Sequence, residues 1–395
     1  MKKTLKDMNF KGKKTLVRVD FNVPLKDNQV KDDTRIQAAL PTIKYLIDED
    51  AKVILMSHLG RPKGKEVESL RLDPVAEKLA DVLQKQVAKV DDCIGEEPQK
   101  AIKQMENGDV VLLENTRFYP GEKANDPEFS RKLADLADVY VNDAFGAAHR
   151  AHASTVGVAK YLPSAAGFLL QRELNALGKT LEDPESPFVS IIGGAKVSDK
   201  MGVIKNLLKK VDYILTGGGI ANTFLAAQGY TMQESLVEED MLAEAKELME
   251  EAKANDVELV LPVDLVIASE FAADAERDVV KTDNIPEGWQ ALDSGGPETL
   301  KKYSKILKKA KTITWNGPIG VFEFDKFAGG TIELAKIIAE SGARSIIGGG
   351  ESAAAIKKAG VENKMTHIST GGGASLMFME GIPLPGIEAI DDLEQ

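Results

Sequence analysis

The sequence predicts an α/β protein made of two doubly wound parallel-sheet (Rossmann-like) domains joined by a hinge helix. Apolar runs rich in Val, Ile and Leu alternate with helical stretches along almost the whole chain. This alternation is typical of parallel strands that are covered by helices on both faces. The runs are numerous enough for two sheets, and 395 residues are too many for one ordinary core.

Nine apolar runs are predicted to be strands. In chain order they read KTLVRVDF, KVILMSHL, DVVLLENT, DVYVND, FVSIIGG, YILTGGG, ELVLPVD, TITWNG and SIIGGG. The stretches between them are predicted to be helices, and these cover residues 34–46, 73–83, 127–134, 203–208, 238–251 and 332–339. A regular order of strand and helix indicates that each half of the chain forms its own sheet.

The domain boundary is predicted near the middle of the chain. A polar, helix-like run over 171–180 leads into the turn-forming sequence DPESP. We therefore expect an N-terminal domain over 1–170, a connector and hinge over 171–188, and a C-terminal domain over 189–380. The acidic tail over 381–395 contains prolines and is predicted to be an extended segment that docks on a folded domain.

The composition restricts the class of function. Hydrophobic residues make up 43% of the chain and charged residues 28%, as in globular proteins. The net charge of −12 disfavours nucleic-acid binding, and no apolar run approaches the roughly 20 residues that span a bilayer. Cys93 is the single cysteine, which fits a reducing compartment. The N-terminus, MKKTLKDMNF, lacks the apolar core of a signal peptide. We expect a cytoplasmic protein that binds neither nucleic acid nor membrane.

Cationic and hydrogen-bonding side chains follow the strands of the first half, at the strand ends where doubly wound sheets bind ligands. Arg35 lies just inside the first helix, and the strand ends contribute Asp20, Asn22, His58, Arg61, Arg117, His149, Arg150 and His152. Guanidinium groups bind phosphate and carboxylate through two parallel hydrogen bonds. This edge therefore predicts a site for a small, multiply anionic molecule.

Glycine takes the place of these side chains in the second half. The strand ends read IIGGAK, LTGGG, WNGP, IIGGGES and STGGG, with two lysines, Lys196 and Lys200. Glycine-rich loops that lead into helices bind phosphate groups through backbone N–H groups. The second half is therefore predicted to bind the phosphates of a nucleotide, and the two halves together predict phosphoryl transfer between a nucleotide and a small acid.

Other chemistries lack their motifs. The sequence LGKT at 177–180 resembles the end of a P-loop, but Glu173 stands where the first glycine is required. No GxGxxG follows a strand with an acid about 20 residues on. Zinc-protease spacing and the GxSxG of hydrolases are also absent.

Two alternatives stay open on the residues alone. One is a binding module that keeps the fold without catalysis, although Arg35, Lys196, Lys200 and the glycine loops are intact. The other is a kinase for another small acid, such as acetate or aspartate. The number of arginines and histidines exceeds what one carboxylate needs, which favours an acceptor that already carries a phosphate.

Nine motifs in this order resemble phosphoglycerate kinases over essentially the whole chain. They are RVDFNVP (18–24), DDTRI (32–36), SHLGRP (57–62), LLENTRF (112–118), VNDAFGAAHRAHAST (141–155), GGAKVSDK (193–200), WNGPIGVFE (315–323), GGGES (348–352) and STGGGAS (369–375). The resemblance implies a monomeric, two-domain enzyme that moves phosphate between ATP and 3-phosphoglycerate with Mg²⁺. In glycolysis the reverse direction makes ATP from ADP and 1,3-bisphosphoglycerate. The resemblance also implies that the C-terminal tail returns to the N-terminal domain.

The resemblance implies a role for each matching residue. The residues that would hold 3-phosphoglycerate are Asp20, Asn22, Arg35, His58, Arg61, Arg117 and Arg150, with His149 and His152 beside its phosphate. The residues that would hold the nucleotide are Lys200, Gly217, Gly218, Asn316, Pro318 and Glu323, together with Gly194, Lys196, Gly349, Gly350, Glu351 and Ser352 of the glycine loops. Glu323 would bind the ribose hydroxyls.

The expected mechanism needs no general base, because a carboxylate acceptor is already ionised at neutral pH. Catalysis is instead expected from alignment and charge stabilisation. The groups expected to supply it are Arg35, Lys196 and the amides of Gly372 and Gly373, brought together when the domains close about the connector.

Two positions depart from the family's usual pattern. An aspartate usually follows the GGG sequence and serves the metal–nucleotide complex, whereas this chain has Glu351. Its longer arm leaves direct and water-mediated Mg²⁺ contact both open. The loop LDSGGP at 292–297 carries one more glycine than usual.

Overall fold

The computed structural model describes residues 1–393, which divide into two compact units. The first unit holds Met1–Asn175 together with the tail from Pro383 onward, and the second holds Ala176–Ile382. The boundary lies inside a helix, Phe168–Glu182. Within the described residues, no helix is both long and apolar enough to cross a membrane.

The first unit contains eight strands and six helices that begin before its boundary. The strands are β1 (Lys14–Arg18), β2 (Leu25–Lys26), β3 (Gln29–Val30), β4 (Lys52–Met56), β5 (Ala88–Lys89), β6 (Val110–Leu112), β7 (Val139–Asn142) and β8 (Ser164–Ala166). The helices are α1 (Thr34–Asp48), α2 (Asp73–Leu83), α3 (Glu96–Lys103), α4 (Pro120–Ala124), α5 (Pro127–Ala134) and α6 (Phe168–Glu182).

The second unit continues the alternation of strand and helix. Its strands are β9 (Phe188–Ile192), β10 (Tyr213–Thr216), β11 (Glu258–Val260), β12 (Asp264–Ala268), β13 (Arg277–Lys281), β14 (Gln290–Asp293), β15 (Thr312–Asn316), β16 (Arg344–Gly348) and β17 (His367–Ile368). Its helices are α7 (Met201–Leu207), α8 (Gly218–Ala227), α9 (Leu242–Ala254), α10 (Pro297–Leu307), α11 (Gly329–Glu340), α12 (Gly350–Ala359) and α13 (Gly372–Met379).

Each unit is built on a six-stranded sheet. The order is β5-β6-β4-β1-β7-β8 in the first unit and β11-β10-β9-β15-β16-β17 in the second. Every pairing within these two sheets is parallel. The predicted fold class, α/β with two doubly wound parallel sheets, is confirmed.

Both faces of each sheet are buried, and this explains the continuous apolar runs. In β1, Leu16 belongs to one core cluster and its neighbour Val17 to another on the opposite face. In β9, Phe188 and Val189 divide between two clusters in the same way. The strands therefore end in buried residues, and the loops after them lie at one edge of the sheet.

The structure differs from the predicted elements in the second unit. ELVLPVD was predicted as one strand, but β11 ends at Val260 and β12 begins at Asp264. Pro262 lies between them and cannot donate a backbone hydrogen bond. Strand β12 instead pairs with β13 and β14 in a separate antiparallel sheet. This sheet was not predicted from the sequence because β13, RDVVK, is mostly exposed and charged.

The tail is not wholly extended. It forms a short helix, α14 (Pro385–Glu388), and residue Asp392 makes an antiparallel bridge to Lys2. The Lys2 ammonium donates to the backbone oxygens of Glu388 at 3.0 Å and Ile390 at 2.9 Å. The N-terminus and the tail thus hold each other within the first unit.

Candidate active site

A cavity of about 170 Å³ lies where β1, β4, β6 and β7 end in the first unit. Most of the predicted acceptor residues line it. The lining consists of Asp20, Asn22, Arg35, His58, Gly60, Arg61, Arg117, Gly146, Ala147, His149 and Arg150. The structure therefore gathers eight of the nine sequence-predicted residues in one place, because parallel strands end at the same edge of their sheet.

Hydrogen bonds among the lining residues hold their orientation. The Arg35 guanidinium donates to the Asp20 carboxylate at 3.0 Å and to the backbone oxygen of Asn22 at 3.2 Å. The Asn22 side chain accepts from the Gly60 amide at 2.9 Å, and Arg117 donates to the Gly60 oxygen at 2.7 Å. The loops after β1, β4 and β6 are thereby joined.

The cavity has an excess of positive charge. Burial and the nearby Arg18 and Arg150 lower the pKa of Arg117 to about 10, and the Nε atom of Arg117 has no hydrogen-bond partner within residues 1–393. Repulsion among cations and a missing partner would both be relieved by an anion. The cavity is therefore suited to a multiply charged anionic ligand.

The three histidines near the cavity are neutral at physiological pH. Burial, reinforced by neighbouring arginines, lowers the pKa values of His58, His149 and His152, in the case of His152 to about 4. His152 does not line the cavity, and its Nδ1 atom lies 3.9 Å from the buried carboxylate of Glu122. It is the one predicted acceptor residue that the cavity lining omits.

A second cavity, of about 450 Å³, lies in the second unit. Its glycine-rich side includes Gly194, Gly218 and Gly219, and its apolar side includes Leu236, Phe271, Leu292, Val321 and Phe324. Pro318, Glu323 and Glu351 also line it. A partly apolar cavity with a glycine rim and two carboxylates is suited to a flat base joined to a polar, phosphate-bearing group.

Some glycines of this rim are needed because neighbouring loops pack closely against them, and not because their amides are free to bind a ligand. Gly218 has a φ of +65°, and a Cβ there would lie 2.7 Å from the Gly194 oxygen. Its amide donates to the Ile319 oxygen at 3.0 Å and to the Ser294 hydroxyl at 2.9 Å. Gly217 likewise donates to the Ile192 oxygen at 3.1 Å. Both amides are thus occupied by acceptors of the protein itself, and the two glycines let neighbouring loops approach each other.

The N-termini of α12 and α13 come close together. A Cβ on Gly372 would lie 3.3 Å from the Gly350 amide nitrogen. The first-turn amides of a helix lack intrahelical partners and face the positive end of the helix dipole. Gly350 is the first residue of α12, and Gly372 and Gly373 are the first two residues of α13. The Ser352 hydroxyl is buried and accepts from the Gly317 amide at 2.7 Å, so it joins two loops.

The two lysines of the second unit differ in environment. Lys200 donates to the Asn316 side-chain oxygen, and burial lowers its pKa while the Glu351 carboxylate opposes that shift. The Nδ2 atom of Asn316 is buried without a partner within the described residues. Lys196 is exposed and does not line the cavity; its charge acts on Glu238.

Two groups that hold the site were not predicted from the sequence. Asp293 is buried and accepts from the Gly295 amide at 2.8 Å and the Gly330 amide at 2.7 Å; burial raises its pKa to about 6. Ser294, next to it, binds the Gly218 amide. The unusual loop LDSGGP was the only signal. The apolar side chains Leu236 and Phe271 lie in loops that show no periodicity, so no sequence signal placed them beside a cavity.

The described residues contain no group of three or more His, Cys, Asp or Glu that could hold a metal ion. Glu351 is an exposed single carboxylate at the rim of the second cavity. Mg²⁺ often binds through one or two carboxylates together with substrate phosphates and water. This donor set fits a magnesium ion that enters with a nucleotide, not one held by the protein alone.

A cationic cavity on one parallel sheet and a glycine-rimmed, partly apolar cavity on the other define a phosphotransferase that handles a nucleotide and a small acid. Comparison with known proteins agrees with this class. The sequence model for phosphoglycerate kinase matches residues 5–382. The chain is 60% identical over 391 residues to the phosphoglycerate kinase of Moorella thermoacetica and 56% identical over 391 residues to that of Pelotomaculum thermopropionicum, in both cases covering 99% of each chain.

Solved structures give the same assignment. The fold is similar to phosphoglycerate kinase from Coxiella burnetii, with a TM-score of 0.89 and 43% identity, and to that from Pyrococcus horikoshii, with a TM-score of 0.86 and 36% identity. Each comparison covers 98% of both chains. The chain belongs to the phosphoglycerate kinase family.

Proposed function

We propose that this chain catalyses reversible phosphoryl transfer between ATP and the carboxylate of 3-phosphoglycerate. In glycolysis the reaction runs from ADP and 1,3-bisphosphoglycerate to ATP and 3-phosphoglycerate. Family membership over nearly the whole length supports the reaction. The observation that carries the choice of acceptor is the number of cations around the first cavity, where four arginines and two histidines line about 170 Å³. One carboxylate does not need so many donors, whereas a phosphate and a carboxylate together do.

The acceptor would bind in the first cavity. Arg35, Arg61, Arg117 and Arg150 would neutralise its phosphate and carboxylate, and Asp20, Asn22, His58 and His149 would complete the hydrogen bonds. His152 would act from outside the cavity lining, where its Nδ1 atom lies 3.9 Å from the Glu122 carboxylate. The unpartnered Nε atom of Arg117 supports an anion in this position.

The nucleotide would bind in the second cavity. Its base would pack among the apolar side chains, and Glu323 at the rim would accept hydrogen bonds from the ribose hydroxyls. The phosphates would lie near Lys196, Lys200 and the first-turn amides of α12 and α13. Gly194, Gly217, Gly218, Asn316, Pro318, Gly349, Gly350 and Ser352 would shape this side of the site.

Glu351 would hold Mg²⁺ together with the nucleotide phosphates. The ion would neutralise phosphate charge and fix the geometry of the phosphate chain. A glutamate can reach such an ion directly or through a water molecule.

The residues of the chain would stabilise charge and not move a proton, because the attacking carboxylate carries no proton at neutral pH. In the transition state negative charge spreads over the oxygens of the transferring group. Arg35 from the first unit, and Lys196 with the Gly372 and Gly373 amides from the second, would donate to those oxygens. Because these groups belong to different units, we also propose that the units close about the 171–188 connector and exclude water.

A coupled assay of ATP consumption with a panel of acceptor acids tests this proposal. We expect rapid, magnesium-dependent turnover with 3-phosphoglycerate and at least about 100-fold lower kcat/KM with acetate or aspartate. Preference for either unphosphorylated acid would overturn the choice of acceptor. Tight binding of ATP and 3-phosphoglycerate without any turnover would identify a silent binding module. We further propose a monomer in the cytoplasm, and light scattering tests the first part.

A further inference from the structure

Arg18 is the last residue of β1 and is completely buried. It directly precedes the loop that carries Asp20 and Asn22, yet it does not line the acceptor cavity. Burying a guanidinium is costly unless its donors are all directed to acceptors. The contacts of Arg18 therefore indicate the role for which the buried guanidinium is kept.

The three nitrogens of Arg18 have three different partners. Its Nε atom donates to the Ser154 hydroxyl at 2.8 Å, its Nη1 atom donates to the Val19 oxygen, and its Nη2 atom lies 2.9 Å from the Nδ1 atom of His58. A lysine has one ammonium and cannot reach three acceptors arranged in this way. The planar fork is thus fixed by β1, by the loop after β7 and by the His58 ring.

The charge of Arg18 is balanced through Ser154. The Ser154 hydroxyl accepts from Arg18 and donates to the completely buried Glu122 carboxylate at 2.6 Å. Glu122 also accepts from the Ser154 amide at 2.9 Å and from the Thr116 hydroxyl at 3.3 Å. A cation and an anion on either side of one hydroxyl form a rigid polar network behind the cavity.

This network determines the tautomer of His58. A guanidinium can only donate, so the Nδ1 atom facing it must accept and carry no hydrogen. The single ring hydrogen then lies on Nε2. Protonation of Nδ1 would place two donors against each other, and the neighbouring charges on Arg35 and Arg117 add to the cost.

We propose that Arg18 is a positioning residue for acceptor binding: it fixes His58 as the neutral tautomer with hydrogen on Nε2, so that the ring offers one permanent N–H donor to the anionic acceptor. This inference rests on the proposed function, because the acceptor is 3-phosphoglycerate. The donor does not depend on a titrating charge. The hydrogen bond from His58 to the acceptor is therefore retained at acid pH, where the ring of an ordinary histidine would take up a second proton.

Long-range ¹H–¹⁵N correlation spectra of the full, unliganded chain test the tautomer directly. The chain has four histidines, and comparison with a His58→Gln variant assigns the His58 signals. We expect a protonated Nε2 and an unprotonated Nδ1 from pH 8 down to about pH 5.5. A protonated Nδ1, an average of both tautomers or a doubly protonated ring in that range would overturn the proposal. The charged or titratable groups that face His58 are Arg18 on β1, Arg35 on α1, Arg117 after β6 and His152 after β7.

Kinetics of Arg18→Met test the consequence for binding. We expect the KM for 3-phosphoglycerate to rise roughly 10- to 100-fold, as for the loss of a hydrogen bond to a charged group. The KM for ATP should change by less than about twofold. Arg18→Lys should restore little of the KM for 3-phosphoglycerate, because a lysine keeps the charge but lacks the planar guanidinium that holds the His58 ring. An unchanged KM for 3-phosphoglycerate in a folded Arg18→Met chain would contradict the proposal.

Arg71→Met is the matched control. Arg71 is another arginine of the first unit; unlike Arg18 it is only partly buried, with ion pairs to Glu66, Glu68 and Glu114, and it does not line the cavity. This variant should lose stability without a selective change in either KM. If Arg18→Met fails to fold, the unmodified chain's spectrum still decides the proposal. If the tautomer is as expected but 3-phosphoglycerate neither binds nor reacts, the proposed function fails and not the arrangement of Arg18 and His58.

Discussion

The acceptor cavity shows how single residues respond to a crowded positive site. His58, His149 and His152 lose their usual basicity because they are buried among arginines, and the pKa values of all three fall. Their value to the site is therefore as neutral hydrogen-bonding rings, and the permanent charge comes from the arginines.

Stability is expected to fall in acid because of these histidines. The pKa of His152 is about 4 in the folded chain and about 6.5 when unfolded. Between these values the unfolded chain binds more protons, so stability decreases as pH falls below about 6.5. Urea unfolding at pH 7.5 and pH 5 should show a loss about 1 kcal/mol smaller in His152→Gln than in the unmodified chain. Equal losses would contradict the assigned direction.

The role of Glu351 makes a second prediction about a single residue. Glu351→Ala should raise the Mg²⁺ concentration for half-maximal rate and slow turnover at least about tenfold, because the proposed oxygen ligand is lost. Glu351→Asp should keep much of the activity. The control is Glu340→Ala, which changes an exposed acid at the end of α11. Unaltered magnesium dependence in Glu351→Ala would reduce this carboxylate to a helix-end residue.

Among the secondary-structure elements, α6 has the most informative N-terminus. Gly167 precedes the helix and offers no capping side chain, but the buried Asp143 carboxylate accepts from the Leu169 amide at 2.9 Å and the Leu170 amide at 3.2 Å. A Cβ on Gly167 would lie 2.2 Å from the Asp143 oxygen. Thr42 on α1 accepts from the Phe168 amide at 2.9 Å. The helix that crosses the unit boundary is thus capped by Asp143, which directly follows β7, and by Thr42 on α1.

Asp143→Ala should destabilise the chain by about 2–3 kcal/mol, because two helix amides lose their acceptor. Asp143→Asn keeps an acceptor oxygen. Burial raises the pKa of Asp143 to about 7, so the folded chain holds a proton there that the unfolded chain releases. The stability that this proton adds is lost as pH rises through 7. The stability of Asp143→Asn relative to the unmodified chain should therefore improve between pH 5 and pH 8.5 in urea unfolding. If Asn and Ala variants were equally unstable, the capping role would be wrong.

The sequence predicted the parallel sheets because their strands are buried on both faces and read as continuous apolar runs. It did not predict the sheet β12–β14, in which β13 is exposed and charged, or β5, which has two residues. Helix α9 begins at Leu242 and not at 238, after a short 3₁₀ turn over Glu239–Met241. Short or exposed elements depend on tertiary contacts and leave little local pattern.

The same distinction applies to the candidate site. Arg35 and the residues after β1, β4, β6 and β7 were predictable, because parallel strands bring their carboxyl ends to one edge. The hydrogen-bond acceptors of the backbone amides in the loops were not predictable. The Gly218 amide donates to Ser294, which is 76 residues away. This hydrogen bond depends on two loops that come together in the fold, and no local sequence pattern indicates that they do. Arg18 and Glu122 were missed because buried charges leave no periodic signal.

For the whole molecule, the proposal is that the two units of one chain act on the same phosphoryl group. Under this proposal, Arg35→Met should disable the first unit and Lys200→Met the second. An equimolar mixture of the two variants should show no more than the sum of their residual rates. Activity above that sum, rising with concentration, would indicate that units from different chains cooperate, and would contradict a monomer.

We propose that fixed positive charge, and not a general base, drives transfer to the anionic acceptor. Single-turnover measurement of phosphoryl transfer from ATP to 3-phosphoglycerate in Arg35→Met tests this role. Arg131→Met is the control, since Arg131 packs over Tyr161 outside the cavity. We predict a rate about 10³-fold below that of the unmodified chain, by analogy with arginine fingers, with both substrates saturating. If a folded Arg35→Met chain kept a rate within about tenfold of the unmodified chain, the charge of Arg35 would not drive the transfer.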